Sequence, residues 1–91
     1  VLVAKPSKPD PPLGKVVRRL RKQRSESLET LGFRAGITSG ALADIELART
    51  DPAWSTVLDI AGALEVKPPK LLEEVENERQ RISRAGATAE A

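Results

Sequence analysis

A chain of 91 residues has room for one small core, and without Cys, His, Met or Tyr it lacks the side chains for disulfides, Cys/His zinc sites, thiol nucleophiles, imidazole catalysis and haem ligation. Fifteen Lys and Arg against thirteen Asp and Glu leave a net charge of +2, which names no partner by itself. Only 2% of the residues are aromatic and the apolar ones are mostly Leu, Ala and Val, so the chain is expected to be all-α and not an enzyme.

Residues 1–12 hold four of the seven prolines (Pro6, Pro9, Pro11, Pro12) with Lys5 and Lys8, and read as a disordered basic arm. Leu13, Val16, Val17 and Leu20 then recur at helical spacing, giving a first helix that ends at Ser25-Glu26-Ser27. Ser27 caps a short second helix whose inward face is Leu28, Leu31 and Ala35, ended by Gly36 in the left-handed conformation. Thr38 caps a third helix carrying Leu42 and Ile45 inward, with Ile37 stapled onto Leu42. Asp51-Pro52, a cap followed by proline, marks the start of a fourth helix with the stripe Val57, Leu58, Ala61 and Leu64. Pro68-Pro69 opens a fifth, with Leu71, Leu72, Val75 and Ile82 on its apolar side. The folded domain is expected over residues 13–82, followed by a flexible tail over 83–91 that lacks apolar periodicity.

No apolar run approaches the length of a bilayer span and Val1-Leu2-Val3-Ala4 is too short for a signal-peptide core, so a cytoplasmic location is expected. The carboxylates Glu73, Glu74, Glu76 and Glu78 read as a solvated helix face, and no metal or cofactor is expected.

The spacing from Leu28 to Leu47 carries the functional signal. Two short helices joined by Ala35-Gly36-Ile37-Thr38 form the pattern of a helix-turn-helix, in which Gly32 lets the two segments approach, Gly36 makes the turn and Ile37 plugs beneath it. The outward positions of the second of these helices are Thr38, Ser39, Gly40, Ala43, Asp44 and Leu47, the set that would face a DNA major groove. None of them is the Arg, Asn or Gln of the standard bidentate base contacts. They offer two hydroxyls, a methyl from Ala43 suited to thymine, and Asp44, which can accept from a cytosine amino group. Gly40 permits close backbone approach, so readout is expected to lean on DNA shape.

From Leu13 to Val75 the chain resembles the helix-turn-helix family of phage repressors, Cro proteins and their bacterial relatives, through Leu20-Arg21, Ser27, Leu31-Gly32, Gly36-Ile37-Thr38, Ile45-Glu46, Pro52 and Ala63-Leu64-Glu65-Val66. The resemblance implies a five-helix lambda-repressor-like domain. It also implies a sequence-specific regulator of transcription, a repressor or autoregulator, binding double-stranded DNA as a homodimer on a pseudo-palindromic operator with half-sites about 10 bp apart. It further implies that Arg21 and Glu46 form a structural ion pair, that Arg49 contacts a phosphate, and that Ser27, Thr38, Ser39, Gly40, Ala43, Asp44, Arg49 and Thr50 form the DNA-binding set. The surface around the last helix, with Leu72, Val75 and Ile82, would supply the two-fold contact.

The chain departs from the family at Leu28, where Gln is usual, at Ala48, where Gly is usual, and at Phe33 and Leu47, where polar residues are frequent. Those three apolar residues (Leu28, Phe33, Leu47) motivate an alternative: a protein-interaction module, antitoxin-like or coactivator-like, with a protein partner on that patch. Trp54 and Phe33 are otherwise read as packing residues, and Arg18, Arg19, Lys22 and Arg24 as a solvated face of the first helix. Residues 1–24 carry eight Lys and Arg against one acid, a local charge of +7, and the remainder carries −5. This polarity suits a duplex approached from one side.

Overall fold

Asp10 starts the first helix, α1 (Pro11–Gln23): its carboxylate accepts from the Leu13 N–H at 3.2 Å, with proline at the first two helical positions. The helix therefore begins two residues before Leu13, and Pro11 and Pro12, assigned to the arm by sequence, belong to it. The computed structural model describes residues 9–90, without the side chains of 87–90, so the rest of the expected arm, residues 1–8, lies outside the described residues.

Four more helices follow: α2 (Leu28–Ala35), α3 (Ser39–Glu46), α4 (Trp54–Ala63) and α5 (Pro68–Glu90). Among the described residues there is no strand, and no helix is long and apolar enough to cross a membrane. Two clusters of buried side chains hold these helices together. Val17, Leu31, Ala35, Leu42, Ile45, Ile60, Ala63 and Leu64 pack α2, α3 and α4 onto one side of α1. Val16, Val57, Ala61, Leu71 and Val75 pack α5 across α1 and α4, and Leu13, Leu20 and Val66 touch both clusters. Adjacent valines on α1 thus face different partners, which makes that helix the spine of the domain.

Three expectations need correction. α4 begins at Trp54, not at the Asp51-Pro52 signal: Ala53 is its N-cap, without a side-chain hydrogen bond. Pro52 packs its ring, half-buried, in a groove with Leu71 and Val75, so Asp51 and Pro52 lie in the loop ahead of α4 and not at its cap and first position. Leu58 and Leu72 lie outside the core, and Ile60 fills the inward position expected of Leu58. Beyond Ile82, where the domain was expected to end, α5 continues to Glu90. Ala85, Ala87 and Ala89 are the strongest helix formers, and extending a helix already nucleated by packing adds a hydrogen bond for each residue fixed.

Candidate nucleic-acid interface

The corner between α2 and α3 is built from caps and glycines. The Ser27 hydroxyl accepts from the Thr30 N–H at 3.0 Å and the Thr38 hydroxyl from the Ala41 N–H at 3.0 Å, so each helix is capped by its preceding residue. Gly36 sits at φ 77°, and the Ile37 N–H returns to the Gly32 carbonyl at 2.9 Å, closing the end of α2. A Cβ on Gly32 would stand 2.9 Å from the Ile37 carbonyl oxygen, so this position must be glycine for the turn to lie on α2.

α3 is fixed on its inner side by two contacts to α1. A Cβ on Gly14 would meet the carbonyl oxygens of Ile45 and Glu46 at 2.5 Å each, so the end of α3 lies directly on the α1 backbone. Seven residues along α1, the Arg21 guanidinium donates from Nε and Nη2 to the two Glu46 carboxylate oxygens at 2.7 and 2.9 Å, and from Nη1 to the Glu26 carbonyl at 2.8 Å. The side chains of Arg21 and Glu46 are 11% and 4% exposed. The hydrogen bond to Glu46 raises the Arg21 pKa above its ordinary value, against the opposing effect of burial. One guanidinium thereby ties together α1, the entry to α2 and the end of α3. Gly14 is the positioning residue that the sequence reading missed: nothing in its neighbours signals the helix that crosses it.

The outer side of α3 is open. Thr38 and Gly40 are exposed, and Ser39, Ala43 and Asp44 are half-buried. A Cβ on Gly40 would meet nothing within 4 Å. Ala48, the residue found where the family usually has glycine, takes φ 56°. That left-handed step turns the chain back, so that the Arg49 N–H donates to the Asp44 carbonyl at 2.8 Å and the Arg49 guanidinium stands 3.9 Å from the Asp44 carboxylate. Arg49 and Thr50 are exposed beside this face, and Ser27 is exposed at the start of α2. Arg18, read by sequence as part of a solvated face, lines a groove with Leu28, Ala43 and Leu47, next to α3.

Much of the basic charge of the N-terminal third is consumed internally. Arg19 bonds to Glu74 and Glu78, and Arg24 to Glu26 and Glu65. Arg18 and Lys22 form no ion pair among the described residues and stay exposed. On α5, Glu73 and Glu74 face Lys70, Glu76 faces Arg79 and Glu78 faces Arg81.

The large apolar residues divide differently from the sequence reading. Phe33 is 85% exposed and Trp54 55% exposed, so neither is a packing residue. Phe33 projects from α2 on the side opposite Leu31, Gly32 and Ala35, and Trp54 opens α4 at the rim of a groove that also contains Leu72. Leu28 is half-buried against the first core cluster and only Leu47 keeps it company in a common groove, so Leu28, Phe33 and Leu47 do not form one patch. Of the residues assigned to a two-fold contact, Leu72 is 47% exposed and Ile82 half-buried, while Val75 is a core residue with almost no surface left.

A family model described as a helix-turn-helix domain matches residues 12–75. No curated protein matches the sequence. Among solved structures, the chain is similar to the restriction-modification controller protein C.AhdI from Aeromonas hydrophila, at 28% identity over 67% of this chain and 92% of that one, with a TM-score of 0.65. It is similar to the P22 c2 repressor protein, solved in complex with a synthetic operator, at 27% identity over 65% and 89% of the two chains, with a TM-score of 0.60. The clp gene regulator ClgR from Corynebacterium glutamicum shares the fold over 94% of this chain and 92% of its own, at 17% identity and a TM-score of 0.78.

Proposed function

Because the chain belongs to the helix-turn-helix domain family, we propose that it is a sequence-specific transcriptional regulator, a repressor or autoregulator, that binds double-stranded DNA in the cytoplasm, at the nucleoid. The observation that carries this reading is the outer face of α3, open to solvent and backed against α1 by Gly14 and the Arg21–Glu46 pair. Presentation of such a helix to the major groove is how this motif docks. Thr38, Ser39, Gly40, Ala43 and Asp44 face the bases, and Ser27, Arg49 and Thr50 stand at the edges of the contact. Arg18 and Lys22, which have no internal ion pair among the described residues, supply charge for phosphates. The likeness to a controller protein and to a repressor solved on its operator supports the same conclusion.

The regulator acts as a homodimer on a pseudo-palindromic operator. The groove between α1, α4 and α5 supports this, with Trp54 and Leu72 exposed at its rim and Asp10, Asp51 and Arg79 in its walls. An apolar patch carrying both signs of charge can meet its own copy about a two-fold axis. Sedimentation of the chain and of Leu72→Glu reads this directly: the wild type sediments as a dimer and the variant as a monomer.

Binding to genomic duplexes, including the DNA upstream of the protein's own gene, against scrambled duplex tests the main reading. The expected result is a preferred fragment and a slope of log K against log[salt] of about −0.9 for each phosphate contact. Absence of any slope on every duplex overturns it.

A second reading has one observation in its favour, the isolated and highly exposed Phe33 on α2. If the domain is an interaction module, Phe33→Ser abolishes co-purification of a protein partner and leaves DNA affinity unchanged.

A further inference from the structure

We propose that Asp44 and Arg49 act as a unit that reads one C·G base pair, the carboxylate accepting from the cytosine N4 amino group and the guanidinium donating to N7 and O6 of the paired guanine. This rests on the DNA-binding reading above and names what that face recognises.

Asp44 is the one ionised side chain on the outer face of α3, since Glu46 is buried against Arg21. Alone, a carboxylate pushed into the major groove is repelled by phosphates on both strands. Here it is not alone. The left-handed step at Ala48 and the Arg49 N–H bond to the Asp44 carbonyl place a cation beside it, so the pair approaches the duplex with no net charge.

The spacing of the two groups separates Arg49 from the other ion-paired arginines among the described residues. Arg19, Arg21, Arg24, Arg34, Arg79 and Arg81 all donate hydrogen bonds to carboxylates at 3.3 Å or less. At 3.9 Å, Arg49 and Asp44 are too far apart for a hydrogen bond, so donors and acceptors on both remain free. An acceptor and a fork of donors held side by side in this way are the complement of a C·G pair. Its major-groove edge presents the cytosine amino donor next to the guanine O6 and N7 acceptors, about 2.9 Å separating N4 from O6. An A·T pair fits poorly: the adenine amino donor lies between N7 and the thymine O4, both acceptors that repel a carboxylate. A guanidinium in this place also supplies the bidentate guanine contact that α3 itself lacks.

The role differs from the phosphate contact that the resemblance implies for Arg49, and the difference is measurable. Selection from a pool of randomised duplexes is carried out with the full chain and with Asp44→Ala, Asp44→Asn and Arg49→Gln, each checked for wild-type helical content. The wild type is expected to enrich a motif with a fixed C·G pair, whose replacement lowers affinity about tenfold or more. Asp44→Ala and Arg49→Gln are expected to relax the preference at that same pair and at no other, and Asp44→Asn to shift it toward adenine. If Arg49→Gln weakens every sequence evenly and keeps the consensus, Arg49 contacts phosphate only and the unit is overturned. Retention of the consensus by Asp44→Ala overturns it equally. A wild-type chain that enriches no sequence overturns the regulator reading together with this one.

Discussion

Arg21 grips both carboxylate oxygens of Glu46, 25 residues away, in a site almost closed to water, and its remaining nitrogen holds the Glu26 carbonyl. The arrangement joins the first helix to the end of the third through two charges that satisfy each other. Removing one partner leaves the other buried and uncompensated, so Glu46→Ala is expected to lower stability by about 3–5 kcal/mol in urea denaturation. Replacing both with apolar residues of similar size, Arg21→Met with Glu46→Leu, is expected to recover most of that loss. If the double variant is no more stable than Glu46→Ala, uncompensated charge is not the cause.

Gly14 has no such reserve. A methyl group there would stand 2.5 Å from two carbonyl oxygens, and backbone yields less readily than a side chain. Gly14→Ala is expected to cost about 3 kcal/mol, the upper end of overpacking effects, although alanine is the better helix former. Urea unfolding of the variant checks the magnitude. A gain in stability would mean that α3 does not lie on α1 as described.

The opposite sign is expected at Ala48. Its φ of 56° carries a steric penalty that glycine avoids, offset in part by the greater freedom of glycine in the unfolded chain. Ala48→Gly is expected to raise stability by about 0.5–1 kcal/mol, seen as a higher Tm, with the base preference at the Asp44 position unchanged.

Acid sensitivity follows from two carboxylates held below their ordinary range. Hydrogen bonding from Arg81 lowers the pKa of Glu78, against burial, with the charges of Arg81, Arg19 and Lys15 adding to the shift; hydrogen bonds from Arg24 and Arg34 do the same for Glu26. A carboxylate with a depressed folded-state pKa contributes stability that is complete above its unfolded value and is lost as the pH falls through the folded value. With no histidine in the chain, stability should be level across pH 6–8 and should decline only below the ordinary carboxylate value of 4.5. Glu78→Gln, compared with wild type across pH 3–7, is expected to shallow that decline.

Legibility in the sequence tracks how local the cause is. Ser27, Gly36 and Thr38 were readable because capping and turn geometry depend on a few neighbouring residues, and the inward residues of α2 and α3 followed from periodicity. The Arg21–Glu46 contact came from family resemblance, since nothing local links two residues so far apart. What escaped was decided by packing between distant elements: Gly14 under the carbonyls of α3, Ile60 rather than Leu58 in the core, and Pro52 drawn into a groove instead of starting a helix. The +7 charge of the first 24 residues was visible, but not its partial neutralisation by Glu65, Glu74 and Glu78 from α4's exit and α5. The placement of Arg49 beside Asp44 required a left-handed alanine, a conformation that alanine rarely adopts.

An eight-residue helix such as α3 is too short to persist in water by itself. Its order is borrowed from the first helix, through a glycine contact at one point and a charged clamp at another. In the proposed regulator the reading element is thus finished before DNA arrives, and no binding free energy is diverted to folding it. The amide hydrogens of its hydrogen-bonded part, from Leu42 onward, should exchange only when the whole domain opens. Its outer residues lie outside both core clusters, so they can be exchanged to alter sequence preference while leaving the fold intact.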